Sequence, residues 1–101
     1  MDATDDLDWD PAKDAANRRK HGLPLKFARL ILADPDRLVA PTHLAISGEL
    51  RQLAVGKAGR FVLSCVFIRE GARRRIISVR PASRKERRAY EAQADARGTR
   101  G

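Results

Sequence analysis

Two helical segments, a run of apolar segments joined by glycine-containing turns, and a final helix start, in that order, predict an α+β fold. The helices gather on an antiparallel sheet of three or four strands. Asp10-Pro11 begins the first helix, with Asp as N-cap and Pro at the first helical position. It should run to about His21 and stop at Gly22, which leaves Lys20 and His21 in a last turn where the dipole favours cations. Leu23, Phe27, Leu30 and Ile31 recur at helical spacing in a second helix, which Asp34-Pro35 ends. The pair makes a helical hairpin with a very short joint.

Arg37-Leu38-Val39 is a short strand candidate, and Pro41 to Gly48 reads as loop. Leu50 to Gly56 reads as a strand, with Lys57-Ala58-Gly59 as its hairpin turn. Arg60 to Arg69 is the strongest strand, and its apolar residues on both faces predict a central, buried position. Cys65 lies inside that run and reads as a small buried hydrophobe rather than a nucleophile. Glu70-Gly71-Ala72 turns the chain into an antiparallel strand, Arg73 to Arg80. Ser83 and Glu86 form a capping box that opens the last helix, which carries Ala89, Tyr90, Ala92 and Ala96. Arg97 to Gly101 is expected to fray.

The 101 residues make one domain, with an ordered core expected over about residues 7–96. A single cysteine excludes a disulfide framework, and no His/Cys spacing suits a metal, so no cofactor is expected. The acidic opening residues do not read as a signal peptide, and no apolar stretch reaches the roughly 20 residues of a membrane helix. A reducing cytoplasm is the expected compartment.

The net charge of +8 favours nucleic acid or an acidic protein partner. That charge is uneven, because Asp2, Asp5, Asp6, Asp8, Asp10 and Asp14 crowd the N-terminal part. Between Arg73 and Arg88 eight basic residues stand against one acid. Ile76, Ile77 and Val79 interleave with these cations, so they belong to packed elements and not to a solvated tail. Arg84, Lys85, Arg87 and Arg88 crowd a helix start, where they oppose the dipole; an anionic partner would relieve that conflict.

Three blocks of the chain together resemble BrnT-type toxins, the ribonuclease half of bacterial type II toxin–antitoxin pairs. The first is Leu7-Asp8-Trp9-Asp10-Pro11-x-Lys13, continuing to Asn17 and Arg19-Lys20-His21-Gly22. The second is Gly48-Glu49-x-Arg51, then Val55-Gly56 and Gly59-Arg60. The third is Arg75-Ile76-Ile77-Ser78-Val79-Arg80-Pro81-Ala82, then Ser83-Arg84-x-Glu86-Arg87-Arg88-x-Tyr90-Glu91. The resemblance implies a RelE-like fold, a metal-independent endoribonuclease that inhibits translation, and a hetero-oligomer with a BrnA-like ribbon-helix-helix antitoxin. It implies that operator DNA is reached only through that antitoxin. The chain departs from the family at Leu44-Ala45-Ile46-Ser47, where a His-Ser or similar polar pair is common, with His43 displaced.

Metal-free RNA cleavage through the ribose 2′-OH needs a base, cations for the phosphorane and an acid for the leaving oxygen. A proton-transfer group is typically worth about 10²–10⁴ in rate and a charge stabiliser about 10²–10³. Arg80, ending a packed strand, is the first choice for phosphate, because guanidinium matches phosphate in a two-pronged way. An ion pair with Glu49 or Glu86 is its structural alternative. Arg51 and Glu49 share a strand side, so Glu49 suits the base and Arg51 the phosphate; a cross-strand salt bridge competes with this. His21 reads first as a cation suited to a helix C-terminus, with acid–base work as the alternative that the family resemblance keeps open, and His43 reads as solvated. Lys20, Arg60, Arg75, Arg84, Arg87 and Arg88 are candidate RNA contacts. Tyr90 reads first as a core anchor, with base stacking or proton donation as the alternatives. Two functions follow from this set: an mRNA-cleaving toxin, or a catalytically inactive module that binds nucleic acid or antitoxin.

Overall fold

The computed structural model describes residues 6–44 and 50–98. Strand β1 (Leu7–Asp8) precedes helix α1 (Pro11–His21). A 3₁₀ turn (Leu25–Phe27) leads into α2 (Ala28–Ala33), and then come β2 (Leu38–Leu44), β3 (Leu50–Ala58), β4 (Phe61–Glu70), β5 (Arg73–Pro81) and α3 (Arg84–Gly98). The α+β class holds, but the sheet is five-stranded and mixed, in the order β1-β5-β4-β3-β2. The sequence reading lacked β1, whose two residues pair parallel with β5, Leu7 against Arg74 and Asp8 against Arg75. The expected loop from Pro41 is strand as far as Leu44, while Ala45 to Gly48 lie outside the described residues. α3 continues through Gly98 where fraying was expected, and Arg97 Nε donates to Asp36 at 2.6 Å.

Local chemistry explains most boundaries. Asp10 caps α1 by accepting the Ala12 N–H at 2.9 Å, and Gly22 ends it at φ 72° with its N–H on the Arg18 carbonyl. Two-residue loops join β3 to β4 and β4 to β5, each opening on a glycine at positive φ (Gly59 66°, Gly71 62°). α2 lies so close on β3 that a Cβ at Gly56 would stand 2.8 Å from the Ile31 carbonyl oxygen. That close approach is the reason for glycine in the second family-like block.

β4 is the central strand, as its two apolar faces predict. One face of the sheet receives α1, the 3₁₀ turn and α2. Leu25, Ala28 and Ile31 pack there on Ala54, Cys65, Phe67, Ile76 and Val79, all buried. Cys65 is fully buried, and desolvation pushes its thiol up to about 12, so it is inert as a nucleophile. The opposite face receives α3 through Val55, Val62 and Tyr90, with Leu38, Leu53, Ala82 and Ala94 around them.

A register shift lies between these layers in β5. Val66 pairs with Ser78 but Phe67 pairs with Ile76, so Ile77 is an extra residue. Without it, Ile76 and Val79 would point to opposite faces; with it, both enter the α1–α2 core. The outer edge of β5 is finished by a side chain. Asn17, 6% exposed, donates to the Val79 carbonyl at 2.7 Å and accepts its N–H at 3.2 Å. Its amide continues the edge pairing that β1 makes farther back, and also holds Leu23 by its carbonyl.

Candidate functional site

Register places the strand-borne arginines. Arg51 pairs with Ile68 on β4, Ile68 pairs with Arg75, and Ser64 pairs with Arg80. Ser64 and Ile68 are separated by an even number of positions, so Arg51, Arg75 and Arg80 share the α3 side of the sheet. They do not converge. Four residues along β4 and two strand spacings across put the Cα atoms of Arg51 and Arg80 about 16 Å apart. The two guanidinium groups therefore address different points of an extended anion.

Arg80 is committed. Its Nη1 and Nη2 each donate to Glu86 at 2.8 Å, and Nη1 also donates to the Pro81 carbonyl at 3.3 Å. Glu86 accepts the Ser83 N–H at 2.9 Å as the capping box requires, and the hydroxyl of fully buried Ser64 at 2.8 Å. The Arg80 hydrogen bonds, helped by Ser83 and Ser64 against some desolvation, hold the Glu86 carboxyl down to about 2. Glu86 in turn raises the Arg80 pKa further. The structural alternative for Arg80 is thus realised: it fastens the start of α3 to the end of β5. Its Nε–H and one Nη2 hydrogen are not used in these bonds.

Arg51 differs. It is half-buried on β3, and its buried Nε has no hydrogen-bond partner among the described residues. Val66, Ile68 and Ser78 share its face beyond the α3 cluster. A buried donor without a partner is uncommon, and water, an ion or a ligand group would satisfy it. Glu49, its expected companion, and the side chain of His43 lie outside the described residues.

The Arg73-Arg74-Arg75 run is answered by the acidic N-terminal part, a link that sequence reading missed. Arg74 forks onto Asp6 at 2.7 and 2.9 Å. Arg75 reaches Asp8 at 3.4 Å and Glu70 at 3.6 Å, and Arg73 stands 4.0 Å from Asp8. Arg75 is accordingly a partly neutralised candidate. The parallel pairing of β1 creates these contacts, and no local pattern announced it.

The other candidates sit elsewhere. His21, Arg60 and Arg87 line a groove of about 650 Å³ at the end of the sheet, with Leu30, Phe61 and Pro81. Arg60 lies over the Phe61 ring at 5.9 Å. His21 therefore belongs to this groove and not to the Arg51 surface. Lys20, Arg84 and Arg88 are exposed at the end of α1 and the start of α3. Tyr90, the stacking candidate, is 2% exposed and donates its hydroxyl to Asp34 at 2.6 Å. Its ring is closed to a base, and it anchors α3.

Asp34, read from sequence only as a helix end, is the hub of that anchor. It also accepts the Lys57 and Asp36 N–H groups, each at 2.8 Å. Burial alone would raise its carboxyl; these bonds outweigh burial and hold it below the ordinary aspartate value. A further hollow of about 340 Å³ on the α1–α2 side holds Arg37, Arg69, Arg74 and Gln52, none of which sequence reading selected except through the basic run. Among the described residues no three His, Cys, Asp or Glu side chains gather as a metal would require. No described helix is long and apolar enough to cross a membrane.

Fold and site together define a small cationic α+β protein, with guanidinium groups spread over one sheet face and an apolar, cation-rimmed groove at its end. Residues 9–86 match the family described as "Ribonuclease toxin, BrnT, of type II toxin-antitoxin system", and the chain belongs to that family. Membership makes it a ribonuclease toxin at family level and implies an antitoxin partner. No curated protein matches the chain.

Proposed function

We propose that the chain is a metal-independent endoribonuclease of RelE-like fold that cuts cytoplasmic RNA, inhibits translation and is neutralised by a BrnA-like ribbon-helix-helix antitoxin. Operator DNA is reached only through that antitoxin. The observation that supports this reading is Arg51: a strand-fixed guanidinium whose buried Nε has no partner among the described residues, on the same sheet face as Arg80. In this reading Arg51 holds a phosphate and stabilises the phosphorane. Arg80 offers its two remaining N–H groups to a neighbouring phosphate. Lys20, Arg75, Arg84 and Arg88 supply the longer-range attraction that single-stranded RNA experiences.

The reaction is internal transfer. The ribose 2′-oxygen attacks phosphorus and the bond from phosphorus to the 5′-oxygen breaks. Glu49 takes the 2′ proton, and the leaving oxygen gains a proton from a general acid or water. His21 faces the end groove, so an acid role for it requires RNA to pass the end of β5. Purified chain incubated with single-stranded RNA in chelator should give 2′,3′-cyclic phosphate and 5′-hydroxyl ends. RNA retained by the chain but left intact would overturn cleavage and favour the binding-module reading. One observation favours that second reading: Arg80 is already occupied by Glu86, so one of two proposed phosphate ligands is spoken for.

A further inference from the structure

The end groove is unlike the rest of the surface. Phe61 is 62% exposed and Leu30 49%, and both stand in the lining of one hollow of about 650 Å³. Leu23, Phe27 and Val62 continue the apolar wall. Large exposed hydrophobes that share a concave patch mark a surface covered by something else.

The charges around the groove say what kind of occupant fits. Among the described residues its lining contains His21, Arg60 and Arg87 and no acidic residue. On one flank α1 ends in Arg18, Arg19, Lys20 and His21. On the other flank α3 begins with Arg84, Lys85, Arg87 and Arg88, whose charges oppose the helix dipole. The acid within that first turn, Glu86, is consumed by Arg80, Ser83 and Ser64. An apolar trough between two cationic helix ends complements a segment with an apolar stripe and acids on both sides.

We propose that this groove is the seat of the antitoxin, which docks an acidic amphipathic helix there with its apolar stripe on Phe61 and Leu30. The proposal rests on the toxin–antitoxin reading and names the surface that reading leaves open. RNA fits less well. A single strand binds by stacking bases on open aromatic faces, but Arg60 already lies over the Phe61 ring at 5.9 Å and Leu23, Leu30, Val62 and Leu63 make most of the wall aliphatic. A helix in a groove, by contrast, uses apolar anchors at i, i+3 and i+4. Pro81 lines the groove and follows Arg80 directly, so a docked helix lies across the path of RNA at that end of the sheet.

The test uses the full chain and the gene product that serves as its antitoxin. Phe61→Asp and Leu30→Asp alter exposed side chains, so folding should survive, as the unfolding midpoint will confirm. The double variant should bind that product at least about 30-fold more weakly, the loss of one anchor residue or more. A photo-crosslinker at position 61 should capture the same product, whereas one at exposed Val39 should not. RNA cleavage by the free double variant should equal that of the wild type. Unchanged affinity of the double variant, or crosslinks from position 61 to RNA alone, would overturn the docking surface. If the free wild-type chain cuts no RNA but the double variant still loses its partner, the surface stands and the ribonuclease reading falls.

Discussion

On the α1–α2 side of the sheet, Leu25, Ala28, Ile31, Ile76 and Val79 are fully buried. On the α3 side, Val55, Val62 and Tyr90 fill one end, and Arg51, Ser78 and Arg80 occupy positions that would otherwise hold core residues. The first face carries the stability of the domain. The second spends part of its area on polar groups: Arg80 is tied to Glu86 and fastens α3, while Arg51 makes no such bond from its Nε among the described residues. The contrast extends to the arginines themselves: Arg74, near the edge that β1 covers, is locked to Asp6, while Arg51 retains a donor without a partner among the described residues.

Substitutions can break this contrast or sharpen it. The largest stability effect belongs to the dry face. Ile76→Ala should cost about 2–5 kcal/mol, read as a lower midpoint in chemical denaturation at unchanged slope. A cost below 1 kcal/mol would show that this core is loose. Next is the pH dependence of Glu86, whose carboxyl titrates near 2 when folded and near 4.5 when free. Between those values the unfolded chain binds a proton that the folded chain does not. The contribution is therefore present above pH 4.5 and lost as the pH falls towards 2, by about 2–3 kcal/mol. Glu86→Gln should flatten that part of the stability–pH curve; an unchanged curve would remove the Arg80–Glu86 fork from the account. Smallest is the partly exposed edge at β1. Asp6→Asn should cost below about 1 kcal/mol and less in high salt, since solvent screens the Arg74 pair. A larger, salt-independent loss would mean that β1 itself detaches.

Sequence made the capped helix, the glycine hairpins and the central strand legible, because each is written in adjacent residues: Asp10-Pro11, Gly22, Gly59, Gly71 and the apolar run around Cys65. β1 was not legible. Two residues carry no period, and their pairing with Arg74 and Arg75 is a contact across more than sixty positions. The extra residue at Ile77 was hidden for a related reason, since simple alternation assigns Ile76 and Val79 to opposite faces. At the site, sequence grouped Arg51, Arg80 and His21, but register spreads the first two along one face and the groove takes the third. Glu86 read as a helix cap, which it is, and as one of two ion-pair alternatives for Arg80, which the fork realises; its two-pronged geometry depends on how Pro81 to Ser83 bend the chain, and composition does not encode that.

The most direct test of the central claim is RNA cleavage by Arg51→Ala beside the wild type, with thermal unfolding measured on both. The expected result is a loss of about 10²–10³ in rate with the unfolding midpoint unchanged or raised, because the substitution removes a buried donor that has no partner among the described residues. Cleavage at the wild-type rate would contradict it.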